Sequence, residues 1–138
     1  MNEVLVDSSF LCALYRNEDR YHRRALDFSK NAVIRPIVPD VVLPEVTFLF
    51  RREGGVFQVI EFLTKFVKEG VEPVPLLLID IERAFIIMNK YASAEFDFVD
   101  CAIVALAECL NIKQILTFDH RDFRIVRPLH TDSFEIFS

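Results

Sequence analysis

Apolar residues fall along this chain in short solid runs that alternate with longer stretches of helical spacing. Val4-Leu5-Val6, closed by Asp7 and two serines, reads as a buried strand turning into a helix over residues 9–17. A polar-faced helix over residues 19–31 carries its apolar positions at Tyr21, Ala25, Leu26 and Phe28. Residues 32–40 form a second strand, bounded by Pro39. Asp40 is placed to cap the next helix, residues 41–54, where Pro44 is tolerated in the first turn and Gly54–Gly55 end it. Val56, Phe57, Val59, Ile60, Phe62, Leu63, Phe66 and Val67 have the spacing of a further helix. Residues 71–78, VEPVPLLL, predict a strand at a sheet edge on account of Pro73 and Pro75. Helices follow over residues 80–92 and within residues 94–112, then a strand over 113–119 and a tail over 123–137 with one or two more strands.

The strands are solidly apolar rather than striped, and they alternate with helices. That combination predicts βαβ units and a parallel sheet covered on both faces. The expected fold is a single three-layer α/β/α sandwich spanning residues 1–138, with a central, mainly parallel sheet. Such sandwiches bind ligands outside the carboxyl ends of their strands, where the strand order reverses.

Composition narrows the function classes. At 138 residues, 52% hydrophobic and with three glycines, the chain can bury a full core and is not of disordered type. No apolar run approaches a membrane span, and the first residues, MNEVLVDSS, lack the basic region and apolar core of a signal peptide; a cytoplasmic protein is expected, with no membrane partner. Cys12, Cys101 and Cys109 form no CxxC pair and have no zinc spacing, so they read as small buried hydrophobes. A net charge of −5 argues against a protein that coats nucleic acid, though not against a nuclease whose acidic pocket is filled by cations.

Four acids from separate segments converge on the expected ligand edge. Asp7 and Asp119 end strands, Asp100 lies in the first turn of a helix that feeds a parallel strand, and Glu45 lies near the start of the helix after the second strand. Each also has an ordinary reading as a turn-former, a capping group or a helix-dipole acid. Asp97 is the N-cap of the helix that contains Asp100. Four carboxylates together repel one another unless a cation is present, and a cluster without His or Cys suits Mg²⁺ or Mn²⁺. Such ions generate hydroxide and stabilise charge on a reacting phosphate, which points to metal-dependent hydrolysis of phosphodiesters.

The motifs VLVDSSFLCAL, VPDVVLPEVTFLF, DCAIVALAE and ILTFDHRDF, in this order and over nearly the whole chain, resemble the PIN-domain proteins, and most of all the VapC-type ribonuclease toxins of prokaryotes. The resemblance implies a Mg²⁺- or Mn²⁺-dependent endoribonuclease with Asp7, Glu45, Asp100 and Asp119 as catalytic metal ligands, direct or through water. It implies Ser9 and Thr117 as supporting hydroxyls, and Asp97 as a cap that could also support the metal from behind. It further implies an RNA substrate, a homodimer, and an antitoxin whose segment covers the active-site groove.

Basic residues gather at Arg20–Arg24, at Arg51–Arg52 and at His120–Arg127; of these, Arg121 and Arg124 lie beside Asp119 and have the better claim to phosphate contact. No interleaving of aromatic and basic residues marks a platform for single strands, and the three histidines show no catalytic spacing. Fourteen phenylalanines, several in FLTKFV and AFIIMNKYA, exceed what one small core needs and suit a homodimer face or a groove for a partner helix. The alternative to a nuclease is a catalytically silent PIN-like module binding RNA or protein. A receiver domain would need paired acids after the first strand and a later Lys, and a dinucleotide binder a glycine-rich first turn; VDSSFL offers neither.

Overall fold

The computed structural model describes residues 2–137. Its sheet has four strands in the order β2-β1-β3-β4, all parallel: β1 (Asn2–Val6), β2 (Ile34–Ile37), β3 (Gln114–Leu116) and β4 (Glu135–Phe137). The central strands are the solid apolar runs, with Val4, Leu5, Ile115 and Leu116 at most 1% exposed. Edge strand β2 tolerates Pro36, paired in register with Val4, because its missing N–H interrupts no second ladder.

Helices α1 (Ser8–Tyr15), α2 (His22–Asn31), α3 (Val42–Gly54) and α4 (Val56–Glu69) pack on one another; α5 (Leu78–Lys90), α6 (Phe98–Leu110) and α7 (Arg121–Ile125) form the second group. The result is the expected α/β/α sandwich. Gly55, at φ +82°, ends α3 and begins α4, a backbone conformation that a side chain would strain. Helix α6 is buried from Cys101 through Ala107, and its three alanines let it lie close within the core. The three cysteines are free, Cys12 and Cys101 buried and Cys109 exposed. Among the described residues, no helix is long and apolar enough to cross a membrane.

Three local expectations fail. Residues 71–78 form no strand; Val74 makes one isolated parallel bridge to Pro39, its N–H donating to Val38 O and its carbonyl accepting from Asp40 N, both at 2.8 Å. Pro73 and Pro75 on one side and Pro39 on the other remove the donors that would extend the ladder. Asp40 does not cap α3 with its side chain: its Oδ1 accepts from Leu76 N (3.2 Å), which ties the proline segment to the sheet. Cys109, expected as a buried hydrophobe, is exposed near the carboxyl end of α6. The tail carries one strand, as expected, and α7, which short apolar spacing does not announce, leads into it.

Candidate functional site

Chain order sets where the site forms. From β1 the chain passes to β2 on one side and returns to β3 on the other, so the strand order reverses between β1 and β3. Asp7 follows β1 and Thr117 follows β3, and the carboxyl ends of these neighbours meet.

Asp7 is 3% exposed and its carboxylate is held on three sides. Oδ1 accepts from the Phe10 N–H (3.0 Å), capping α1, and from Ser9 Oγ (2.7 Å). Oδ2 accepts from Thr117 Oγ1, whose hydroxyl in turn accepts from the Asp119 N–H (2.9 Å). The Phe118 N–H donates to Ser9 Oγ (2.9 Å). Ser9 and Thr117 thus both donate to the Asp7 carboxylate. Oδ1 has both lone pairs engaged, whereas Oδ2 keeps one. Burial pushes the Asp7 carboxyl up to about 6 against these three hydrogen bonds, and the Asp119 charge adds to the rise.

Asp97 is the N-cap of α6, its Oδ1 accepting from the Asp100 N–H (2.9 Å). Asp100, one turn in, is held far above the usual carboxylate range, first by burial and then by the charge of Asp97, a hydrogen bond with Asp122, and the charges of Asp7 and Asp122. Glu45, in the first turn of α3, is half-buried and raised by that burial and by Asp97, while a hydrogen bond from Ser8 works the other way. Asp7, Glu45, Asp97, Asp100 and Asp119 therefore share one electrostatic neighbourhood. Among the described residues, no three His, Cys, Asp or Glu side chains stand together as a ready-made cage for a metal ion.

Asp122 was not singled out from the sequence, although the ILTFDHRDF motif contains it. Its position in the first turn of α7, a helix the sequence pattern did not show, brings it against Asp100. Arg121 is turned toward this group, Nη1 lying 3.3 Å from Asp122 Oδ1, while exposed Arg124 lies one turn further along α7. His22 and His130 are engaged with backbone carbonyls, Nδ1 with Ala13 O (2.7 Å) and Nε2 with Ile112 O (2.6 Å), whereas the Nε2 of His120, the residue after Asp119, is buried without a hydrogen-bond partner among the described residues.

An open groove of about 770 Å³ runs beside the acids, walled by α3 at Glu45 and Phe48 and by the turn between α1 and α2, with Ser9, Phe118 and Asp119 also lining it. Asp7 and Asp100 do not line it; Asp7 communicates with it through Ser9 and Thr117.

A family model described as PIN domain matches residues 4–127. The chain is 25% identical over 133 residues to ribonuclease VapC26 of Mycobacterium tuberculosis, a match covering 96% of this chain and 98% of that protein. Its structure resembles VapC20 of Mycobacterium tuberculosis, described as a toxin that cleaves the sarcin–ricin loop, with a TM-score of 0.77 and 22% identity over 84% of this chain and 89% of that one. It also resembles a chain of a toxin–antitoxin complex from Klebsiella pneumoniae, with a TM-score of 0.67 and 16% identity over 96% and 99% of the two chains.

Proposed function

The chain belongs to the PIN-domain family, and from that premise we propose that it is a divalent-metal-dependent endoribonuclease, the toxin of a toxin–antitoxin pair. The observation that carries the reading is the approach of buried Asp7 and half-buried Asp100, whose carboxyl the Asp7 charge helps to raise, at the reversal of strand order beside an open groove lined by Glu45 and Asp119. Likeness to a ribonuclease over almost the full length of both chains supports the substrate class.

The residues fit Mg²⁺ or Mn²⁺ by donor chemistry. The set is oxygen-only, and burial and like charge raise Asp7 and Asp100 in the way that a bound dication reverses. Asp7 through Oδ2, Asp100, Asp119 and Glu45 would hold the ion, with Asp122 beside them. Bound there, the ion supplies hydroxide near neutral pH and stabilises charge on the scissile phosphate.

The chain's own side chains do the rest. Ser9 and Thr117 keep Asp7 in one orientation, and Asp97 fixes the first turn of α6 and so the place of Asp100. The groove admits an RNA strand along Ser9 and Asp119, and Arg121 and Arg124 contact its phosphates. Exposed apolar side chains on α4 and α5, among them Phe57, Val67, Ile79 and Phe85, support a homodimer face or cover by an antitoxin. The reading is tested by incubating purified protein and a mixed structured RNA with Mg²⁺, with Mn²⁺ or with EDTA. Metal-dependent cutting is expected; a folded protein that binds RNA and never cuts it, with either ion, would be the silent module instead.

A further inference from the structure

Three aromatic rings from distant parts of the chain form a column against the acidic rim. Tyr21 lies parallel to Phe118, with centroids 4.5 Å apart and 3° between planes, and Phe118 lies 5.7 Å from Phe10 at 12°. The column runs from buried Phe10 through Phe118 to half-buried Tyr21, and the last two line the groove. The Arg20 guanidinium is 5.3 Å from the Tyr21 centroid, and that of Arg24 is 5.8 Å from both the Tyr21 and Phe118 centroids. Phe48, 67% exposed, lines the same groove from α3.

The column is fastened to the acids. Phe118 sits between Thr117 and Asp119, its N–H donates to Ser9 Oγ, and Ser9 Oγ donates to Asp7. The Tyr21 N–H donates to Asp19 Oδ1 (2.8 Å), which fixes the turn carrying the ring. Phe118 has its two faces taken by Phe10 and Tyr21, so Tyr21 is the ring whose outer face can meet a ligand. An aromatic face at a groove wall, flanked by arginines and a few bonds from the reacting centre, matches the chemistry of a nucleobase with its attached phosphate: every base has a π-face, and the phosphate favours a guanidinium.

We propose that the outer face of Tyr21, backed by Phe118 and flanked by Arg20 and Arg24, is a subsite that stacks an unpaired nucleobase of the RNA and presents a neighbouring phosphodiester to the acidic rim. The proposal rests on the ribonuclease reading above, and these are positioning residues. They act on substrate binding and not on the bond-breaking step.

The test uses the full chain, first in EDTA with a short single-stranded RNA carrying 2-aminopurine, whose fluorescence falls on stacking, and then in Mn²⁺ for cleavage. Tyr21→Leu keeps apolar bulk against Phe118 but removes the ring. It should abolish the quenching, weaken binding about five- to a hundredfold and raise KM with little change in kcat, and Tyr21→Phe should restore all three. Exposed Arg20→Gln folds whatever the column does for stability, and should make the salt dependence of binding shallower by about one ion. A folded Tyr21→Leu with wild-type quenching and KM, or an unchanged salt slope in Arg20→Gln, overturns the subsite while the ribonuclease reading stands. A wild type that neither binds nor cuts RNA overturns both.

Discussion

Asp7→Asn should stabilise the metal-free protein at pH 8 while abolishing RNA cleavage. The carboxyl rises from 3.8 to about 6 on folding, so ionised Asp7 costs the fold about 3 kcal/mol at pH 8. Asn removes that charge and can keep the network. Its carbonyl oxygen accepts from Phe10 N–H and Ser9 Oγ as Oδ1 does now, and its amide donates to Thr117 Oγ1. Thr117 then turns its hydroxyl hydrogen to Asp119 O, already 3.1 Å away, and still accepts from the Asp119 N–H. The second amide hydrogen has no designated acceptor, which costs about 1–2 kcal/mol. The net expectation is a gain of about 1–2 kcal/mol, or a Tm higher by roughly 3–8 °C for a domain of this size. Thermal unfolding by circular dichroism in EDTA reads it at pH 8 and again at pH 4.5, where wild-type Asp7 is protonated and the advantage should vanish. A loss of stability at pH 8 in Asp7→Asn would refute the reasoning, because it would make the ionised carboxylate a structural anchor and not a strained ligand.

Other consequences follow from the same geometry. The folded-state values of Asp7 and Asp100 are raised, so their contribution to stability is complete below about pH 4 and is lost as pH rises through about 6, with Asp100 extending the loss upward. Mn²⁺ should therefore raise Tm more at pH 8 than at pH 5; an equal rise at both would contradict the electrostatic picture. Thr117→Val leaves Asp7 Oδ2 and the Asp119 N–H without their shared partner and should cost about 2–3 kcal/mol by urea denaturation, whereas Thr117→Ser should stay within about 1 kcal/mol. Glu108 accepts from Arg83 Nε and Nη2 (2.6 and 3.1 Å) and from Leu129 N–H (2.8 Å), away from the rim. Glu108→Gln should cost about 1–2 kcal/mol yet leave kcat/KM unchanged, which separates lost stability from lost chemistry.

The parts that sequence made legible were those set by short-range rules. Solid apolar runs such as Val4–Val6 mark central parallel strands because both faces of the sheet are covered. Once the alternation of strands and helices is recognised, the carboxyl-end rule puts Asp7, Glu45, Asp100 and Asp119 at one edge of the sheet, but it does not say how close they come, and no three of the described acids form a ready-made cage. Local capping at Asp97 was readable for the same reason. What escaped depends on partners distant in the chain. Val74 sits between two prolines and can make only one bridge, so its run of apolar residues resembles a strand that three missing N–H groups forbid. Asp40 gives its side chain to Leu76, 36 residues on, instead of to the helix it precedes. Asp122 depends on α7, five residues long and too short for a periodic pattern. The run Arg20–Arg24 carries Tyr21 and its two arginines in plain view, but the ring that backs Tyr21 is Phe118, far along the chain, so the column as a whole has no local signal.

The most direct measurement pairs Mn²⁺ binding, followed by the loss of the free-ion signal in electron paramagnetic resonance, with cleavage of one RNA by the wild type, Asp7→Asn and Asp100→Asn. Wild-type protein should bind Mn²⁺ and cut, and both variants should be folded, bind the ion at least about tenfold more weakly and leave the RNA intact. Wild-type Mn²⁺ affinity and cutting in either folded variant would contradict the assignment of Asp7 and Asp100 as the centre of the site.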